Sequence, residues 1–221
     1  MIALAIPFGI VGAFGGFRGS LREIHHGLLA AYSGRALSDL ITESLKNRVG
    51  RLRPDFLARC KWDAATRACT GKLGDIIDGR RSFPSGHSST AFVGMTFLSL
   101  FLAGKTAAWC FHAPAPPRSF LGSRLLRFVL SLLPMAFASW VAVSRVEDYR
   151  HHKEDVIVGS IIGIVSASVC YLIFWPNPFS IDSFSIESAG RPRAVYREHD
   201  FGRSRNTGYE LTDMDHDIEP V

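Results

Sequence analysis

The sequence predicts an all-α bundle of helices that crosses a membrane several times and carries its chemistry in an extramembrane loop. Three observations predict it. Ser88–Gly104, Leu125–Val143 and Val156–Trp175 are nearly free of charge over 17, 19 and 20 residues, and a helix needs about 20 apolar residues (range about 17–25) to cross the hydrocarbon core of a bilayer. The charged residues are segregated into the segments between these stretches and into the C-terminal region rather than spread through the chain. The joining segments hold the lysine, arginine, histidine and serine residues that an anion-handling site requires. The chain has 221 residues and a net charge of +5, which suits one domain with a small basic excess. No nucleic-acid partner is expected, and no repeat of 20 to 50 residues occurs.

Taken in order, Met1–Phe17 is apolar but short, without a convincing basic start or cleavage site for a signal peptide. Gly27–Leu45 has a helical pattern but contains Arg35, Asp39 and Glu43, which must face the bundle, pair with one another or sit near an interface. Arg35 and Asp39 are one helical turn apart and can pair, whereas Asp39 and Glu43 repel at the same spacing. Of the three long apolar stretches Val156–Trp175 is the clearest, and Gly159, Gly163 and Ala167 form a small-residue stripe that would let a neighbouring helix approach closely. Pro176-Asn177-Pro178 ends that helix. Residues 176–221 are polar, basic over Arg191–Arg205 and acidic over Asp213–Glu219, and are expected to form a disordered cytoplasmic tail.

Three short segments carry the chemistry. Lys46-Asn47-Arg48-Val49-Gly50-Arg51-Leu52-Arg53-Pro54 sets a lysine and an Arg-Pro with six residues between them. Pro84-Ser85-Gly86-His87 is the second, and in the third Ser144-Arg145 is followed after five residues by His151 and after three more by Asp155. Phosphoryl transfer asks a protein chiefly to position groups and to stabilise charge on the phosphoryl oxygens, which suits Lys46, Arg53 and Arg145. The Ser85 hydroxyl and the backbone N–H groups around Gly86 add neutral donors. A histidine near its ordinary pKa of about 6.5 can serve as nucleophile or as proton carrier. Asp155 shares a helix face with His151 and can accept its other ring N–H. Arg48 and Arg51 fall outside the motif positions and are expected to meet lipid headgroups. His25, His26, His112 and His199 lack a carboxylate or cysteine at ligand spacing, so neither metal nor cofactor is expected.

These segments, in this order and spacing, resemble the signature of the type 2 phosphatidic acid phosphatase superfamily, and the fungal and plant lipid phosphate phosphatases and diacylglycerol pyrophosphate phosphatases in particular. Gly50-Arg51-Leu52-Arg53-Pro54-Asp55-Phe56 and Phe83-Pro84-Ser85-Gly86-His87-Ser88-Ser89 extend the likeness, which covers about Leu21 to Trp175. The resemblance implies that His151 is the nucleophile and forms a phosphohistidine, and that His87 is the acid for the leaving alcohol and then the base for water. Both spacings select His151 over His152. It also implies that Gly27–Leu45 is a span, because the family places one before the first motif. Family members usually have six spans where five are visible here, so the first is expected to be missing through truncation rather than by nature.

The resemblance implies hydrolysis of phosphatidic acid, lysophosphatidic acid or diacylglycerol pyrophosphate without metal, in a vacuolar, endoplasmic reticulum, Golgi or plasma membrane. The alternatives are an enzyme like the vanadate-dependent haloperoxidases, against which the spans argue, and a catalytically silent lipid-binding membrane protein, which would not need two histidines. Two spans separate the loop Lys46–His87 from the loop Ser144–Asp155, so both lie on one side and can build one site. The family places that side in the lumen or outside the cell, although the loop's basic charge, counted naively, favours the cytoplasm. Cys60 and Cys69 share this loop and could pair if it is lumenal. No function is assigned to Cys110 or Cys170.

Overall fold

The computed structural model describes residues 2–17, 20–110, 123–184 and 190–193, with the side chains of residues 2–4 and 182 left aside. His112, His199 and the tail segments 185–189 and 194–221 lie outside the described residues. Those described form helices α1 (Ile2–Phe17), α2 (Leu21–Val49), α3 (Phe56–Cys60), α4 (Leu73–Gly79), α5 (Gly86–Thr106), α6 (Arg124–Glu147) and α7 (Lys153–Phe174). The two-residue strands β1 (Trp62–Asp63) and β2 (Ala68–Cys69) pair antiparallel between α3 and α4. The protein is an all-α membrane bundle.

By length and composition α5, α6 and α7 can each cross a membrane, whereas α1 is apolar but short over Ala5–Phe17. At 29 residues, α2 is about 43 Å long by the helical rise, yet too polar to qualify by composition. The difference from the five expected spans has a physical cause. Arg35, Asp39, Thr42, Glu43 and Lys46 of α2 line a cleft, and their charge is what keeps α2 below the hydropathy of the three apolar helices. Asp39 and Glu43 also do not compete for one cation. Arg35 pairs with Asp39, while Glu43 holds Lys46 at 2.8 Å and Arg81 at 2.5 Å.

Helix α5 is the axis of the bundle, buried over most of its length and packed by α1, α2, α6 and α7. Packing between membrane helices depends on close backbone approach, because lipid tails are as apolar as the side chains. The α7 stripe provides it. A Cβ on Gly159 would lie 2.5 Å from the Ser85 carbonyl oxygen, and one on Gly163 would lie 2.5 Å from the Ser89 carbonyl oxygen. Ala167, 1% exposed, faces Gly34 of α2. On the opposite face of α7, Ile157, Ile161, Val165 and Val169 are exposed at helical spacing, as a lipid-facing surface requires.

Residues 50–85 and 148–152 cap one end of the bundle. At the other end the buried Lys105 ammonium sits 2.8 Å from the Glu23 carboxylate, donates to the Gly190 carbonyl at 2.5 Å, and lies over the Phe101 and Trp175 rings. The Arg193 amide donates to the Phe174 carbonyl at 2.8 Å, and Phe179 stacks on Trp109. The beginning of the segment expected to be a free tail therefore folds back onto the ends of α5 and α7.

Candidate active site

Local sequence signals put the three motif segments at one end of the bundle. Gly50 takes the left-handed conformation (φ 61°) that ends α2, turning the chain into the loop just after Lys46. Ser85 is the N-cap of α5, its hydroxyl accepting from the Ser88 amide at 3.4 Å. His152 caps α7, where its backbone N–H donates to Asp155 Oδ2 at 3.1 Å. Cys60 and Cys69 are joined by a disulfide that closes the β1–β2 hairpin. The Phe83–Pro84 peptide is cis.

A cleft of about 700 Å³ opens here and brings Lys46, Arg53, Gly86, His87 and His151 together. His151 is 3% exposed. Its Nδ1 lies 2.9 Å from the Ser82 carbonyl oxygen. A carbonyl can only accept, so Nδ1 carries the proton and Nε2 presents its lone pair toward the Arg53 guanidinium, 3.4 Å away. Burial, reinforced by the Arg53 charge, pushes the His151 pKa down to about 4. The ring is therefore neutral at neutral pH and Nε2 is available as a nucleophile.

The expected hydrogen bond from His151 to Asp155 is replaced by an indirect one. Asp155 Oδ2 is 3.7 Å from Nδ1, while the buried Ser82 hydroxyl donates to Oδ2 at 2.5 Å. Ser82 also donates its backbone N–H to the Arg51 carbonyl at 2.9 Å. Asp155 thus fixes Ser82, and Ser82 fixes the ring. Arg51, expected at the headgroups, instead donates to Asp155 Oδ1 at 3.0 Å and reaches Glu154 at 3.2 Å. Neither role is legible in sequence. Ser82 lies 69 residues from His151, and Arg51 is one of several arginines in a basic run. His152 keeps to the margin, its Nδ1 3.3 Å from Asp155.

Each of the three candidate cations has an acidic neighbour that a phosphate could replace: Glu43 for Lys46 at 2.8 Å, Asp78 for Arg53 at 2.9 Å and Asp148 for Arg145 at 3.0 Å. Arg145, in the last turn of α6, also bonds the Ser144 hydroxyl and is not part of the cleft wall. Ser85 is fully buried, and its hydroxyl accepts from the Ser88 hydroxyl at 3.0 Å. The structure therefore shows it as a cap, not as a donor facing the cleft. What the turn offers an anion is the N-terminus of α5, whose first N–H groups have no carbonyl one turn earlier. Gly86 keeps that approach open, since a Cβ there would lie 3.0 Å from the Lys46 ammonium. His87, in the first turn of α5, is exposed and lines the cleft.

Residues 27–179 match the family model described as the PAP2 superfamily. Lipid phosphate phosphatase 2 of Arabidopsis thaliana is 34% identical over 98% of this chain and 71% of its own length. Lipid phosphate phosphatase 1 of the same plant is 35% identical over 80% of this chain and 53% of its own length. The probable diacylglycerol pyrophosphate phosphatase 1 of Schizosaccharomyces pombe is 35% identical over 80% of this chain and 63% of its own length. Apart from the first of these, the chain spans less than two thirds of each of these relatives. No solved structure matches.

Proposed function

The chain belongs to the PAP2 superfamily, and from that premise we propose that it is an integral membrane phosphatase. Its substrates are phosphatidic acid, lysophosphatidic acid or diacylglycerol pyrophosphate, and it works through a phosphohistidine and without metal. The observation that carries the reading is His151: a neutral ring with its proton held on Nδ1 by Ser82 and its Nε2 lone pair beside Arg53 in the cleft that His87 also lines.

In the first step Nε2 of His151 attacks phosphorus, the bond from phosphorus to the ester oxygen breaks, and His87 gives its proton to the departing alkoxide. In the second, His87 takes a proton from water, the hydroxide attacks phosphorus, and the P–N bond breaks to release phosphate and restore the neutral ring. Lys46 and Arg53, with the N-terminus of α5, meet the charge on the phosphoryl oxygens, and Arg145 joins them on exchanging Asp148 for phosphate. The test is phosphate release from a panel of lipid phosphates by detergent-solubilised protein in excess chelator. Release should persist, and vanadate should inhibit it by filling the same cradle. Activity that chelation abolishes and magnesium restores would refute the metal-free mechanism, and no release from any lipid phosphate would refute the phosphatase reading.

The site is proposed to face the lumen or the cell exterior. The disulfide between Cys60 and Cys69 supports this, because disulfides persist in oxidising compartments and are rare in the cytosol. The hairpin turn supplies the check. Residues 64–67 are exposed, and Ala64→Asn alone creates Asn-Ala-Thr at positions 64–66, an acceptor for glycosylation in the secretory pathway. The variant should gain a glycan. An Ala64→Asn protein that is active in cells but unmodified would place the site on the cytoplasmic side.

A further inference from the structure

The cleft holds a second polar station that the phosphoryl chemistry leaves unused. On α2, Arg35 pairs with Asp39, and its Nη1 donates to Thr90 Oγ1 at 2.6 Å. Thr90 in turn donates to the Gly86 carbonyl at 2.8 Å. Thr90 is one turn beyond Gly86 on α5, so the Arg35 guanidinium sits about 6 Å deeper into the bundle than the residues that meet the phosphate. All three line the cleft that His87 and His151 line. An arginine and a carboxylate at this depth of a membrane bundle are expensive to keep, and where such groups occur they commonly serve a ligand. Among the described residues Arg35 bonds through Nη1, and the Nε–H and Nη2 amino group of its five-donor fork can serve a bound molecule.

Across the cleft the wall changes character. Phe137, Trp140 and Val141 of α6 are apolar, the Phe137 and Trp140 rings lie 5.9 Å apart, and Trp140 is 66% exposed on the outer surface of the bundle. The cleft thus presents, from mouth to depth, a cationic cradle, a hydrogen-bonding station and an apolar face open toward lipid. A lipid phosphate whose head is joined to its chains through ester or hydroxyl oxygens presents the same order. In a glycerol phosphate those oxygens lie only a few bonds from phosphorus, within reach of a group one helical turn deeper.

We propose that Arg35, held by Asp39 and Thr90, binds the oxygen-bearing linkage of the substrate and makes the enzyme select lipid phosphates that have such a linkage over simple long-chain alkyl phosphates. This rests on the phosphatase reading above. Dioleoyl phosphatidic acid and hexadecyl phosphate, which has no ester or hydroxyl below its phosphate, are compared as substrates in the same detergent micelles for the wild type, Arg35→Met and Thr90→Val. A site built to hydrogen-bond a substrate group discriminates strongly against an analogue without it. Wild type should therefore prefer phosphatidic acid. Arg35→Met should lose about ten- to a hundredfold in kcat/KM on phosphatidic acid and stay within about twofold on hexadecyl phosphate, with Thr90→Val shifting the ratio in the same direction by less. Equal losses on both substrates would mark Arg35 as structural and overturn the inference, as would an unchanged ratio in both variants. If Arg35→Met does not fold, an unchanged ratio in Thr90→Val overturns it alone. A folded wild type that releases phosphate from neither lipid overturns the reading of the site itself.

Discussion

His151→Ala is expected to lower phosphate release from phosphatidic acid by at least about 10³-fold while leaving vanadate binding largely intact. The substitution removes the proposed nucleophile and leaves Lys46, Arg53 and the N-terminus of α5 in place. Binding and turnover should therefore separate, where loss of a cation would lower both. Labelled phosphoenzyme trapped on another residue of the variant would sink the assignment. The same ring makes a second commitment that depends on pH. The proposed mechanism needs the neutral ring, and burial together with Arg53 holds the His151 pKa at about 4. The nucleophile should then fail only as pH falls through about 4, well below the histidine value of about 6.5. Nuclear magnetic resonance of labelled histidine reads this without interference from titration of the substrate. A midpoint for His151 near 6.5 would mean that the ring is half charged close to neutral pH and that the pocket does not hold it as described.

How much of this was legible in the sequence depends on what kind of physics fixed each feature. Span counting indicated that the loops Lys46–His87 and Ser144–Asp155 would lie on one side, and Lys46, Arg53, Gly86, His87 and His151 line one cleft, whereas Ser85 and Arg145, expected with them, are not in its wall. Spacing also put Asp155 on the face of His151. It could not say which acceptor would win the ring N–H, since the winner, the Ser82 carbonyl, arrives from a loop whose path is set by long-range contacts to Arg51 and Asp155. Arg51 was misread for the same reason: its partner lies 104 residues away. The α2 helix shows the converse limit. Its charges lower its hydropathy below that of a membrane span, and only the fold reveals that Arg35, Asp39, Glu43 and Lys46 line a cleft.

Gly163→Val should abolish the folded bundle. Even a Cβ at this position would stand 2.5 Å from the Ser89 carbonyl oxygen, 2.8 Å from Phe92 Cβ and 2.9 Å from the Val93 amide nitrogen. Two of those three atoms are α5 backbone, so no rotamer change relieves them, and α5 would have to separate from α7. Overpacking a core costs about 1–3 kcal/mol and occasionally more. A β-branched residue against backbone should fall at or beyond the upper end. Separation would reach the site directly, because Ser85 at the head of α5 is tied to α7 by its amide, which donates to the Asp155 carbonyl at 2.9 Å. Monodisperse yield in detergent and phosphate release should therefore be lost together, with Gly163→Ala intermediate in both. Val165→Leu, 54% exposed in the wild type on the lipid face two residues along, should leave both near wild type. A Gly163→Val protein that purifies and turns over like wild type would mean that α5 and α7 do not meet at the stripe, and the geometry that positions Asp155 behind His151 would fall with it.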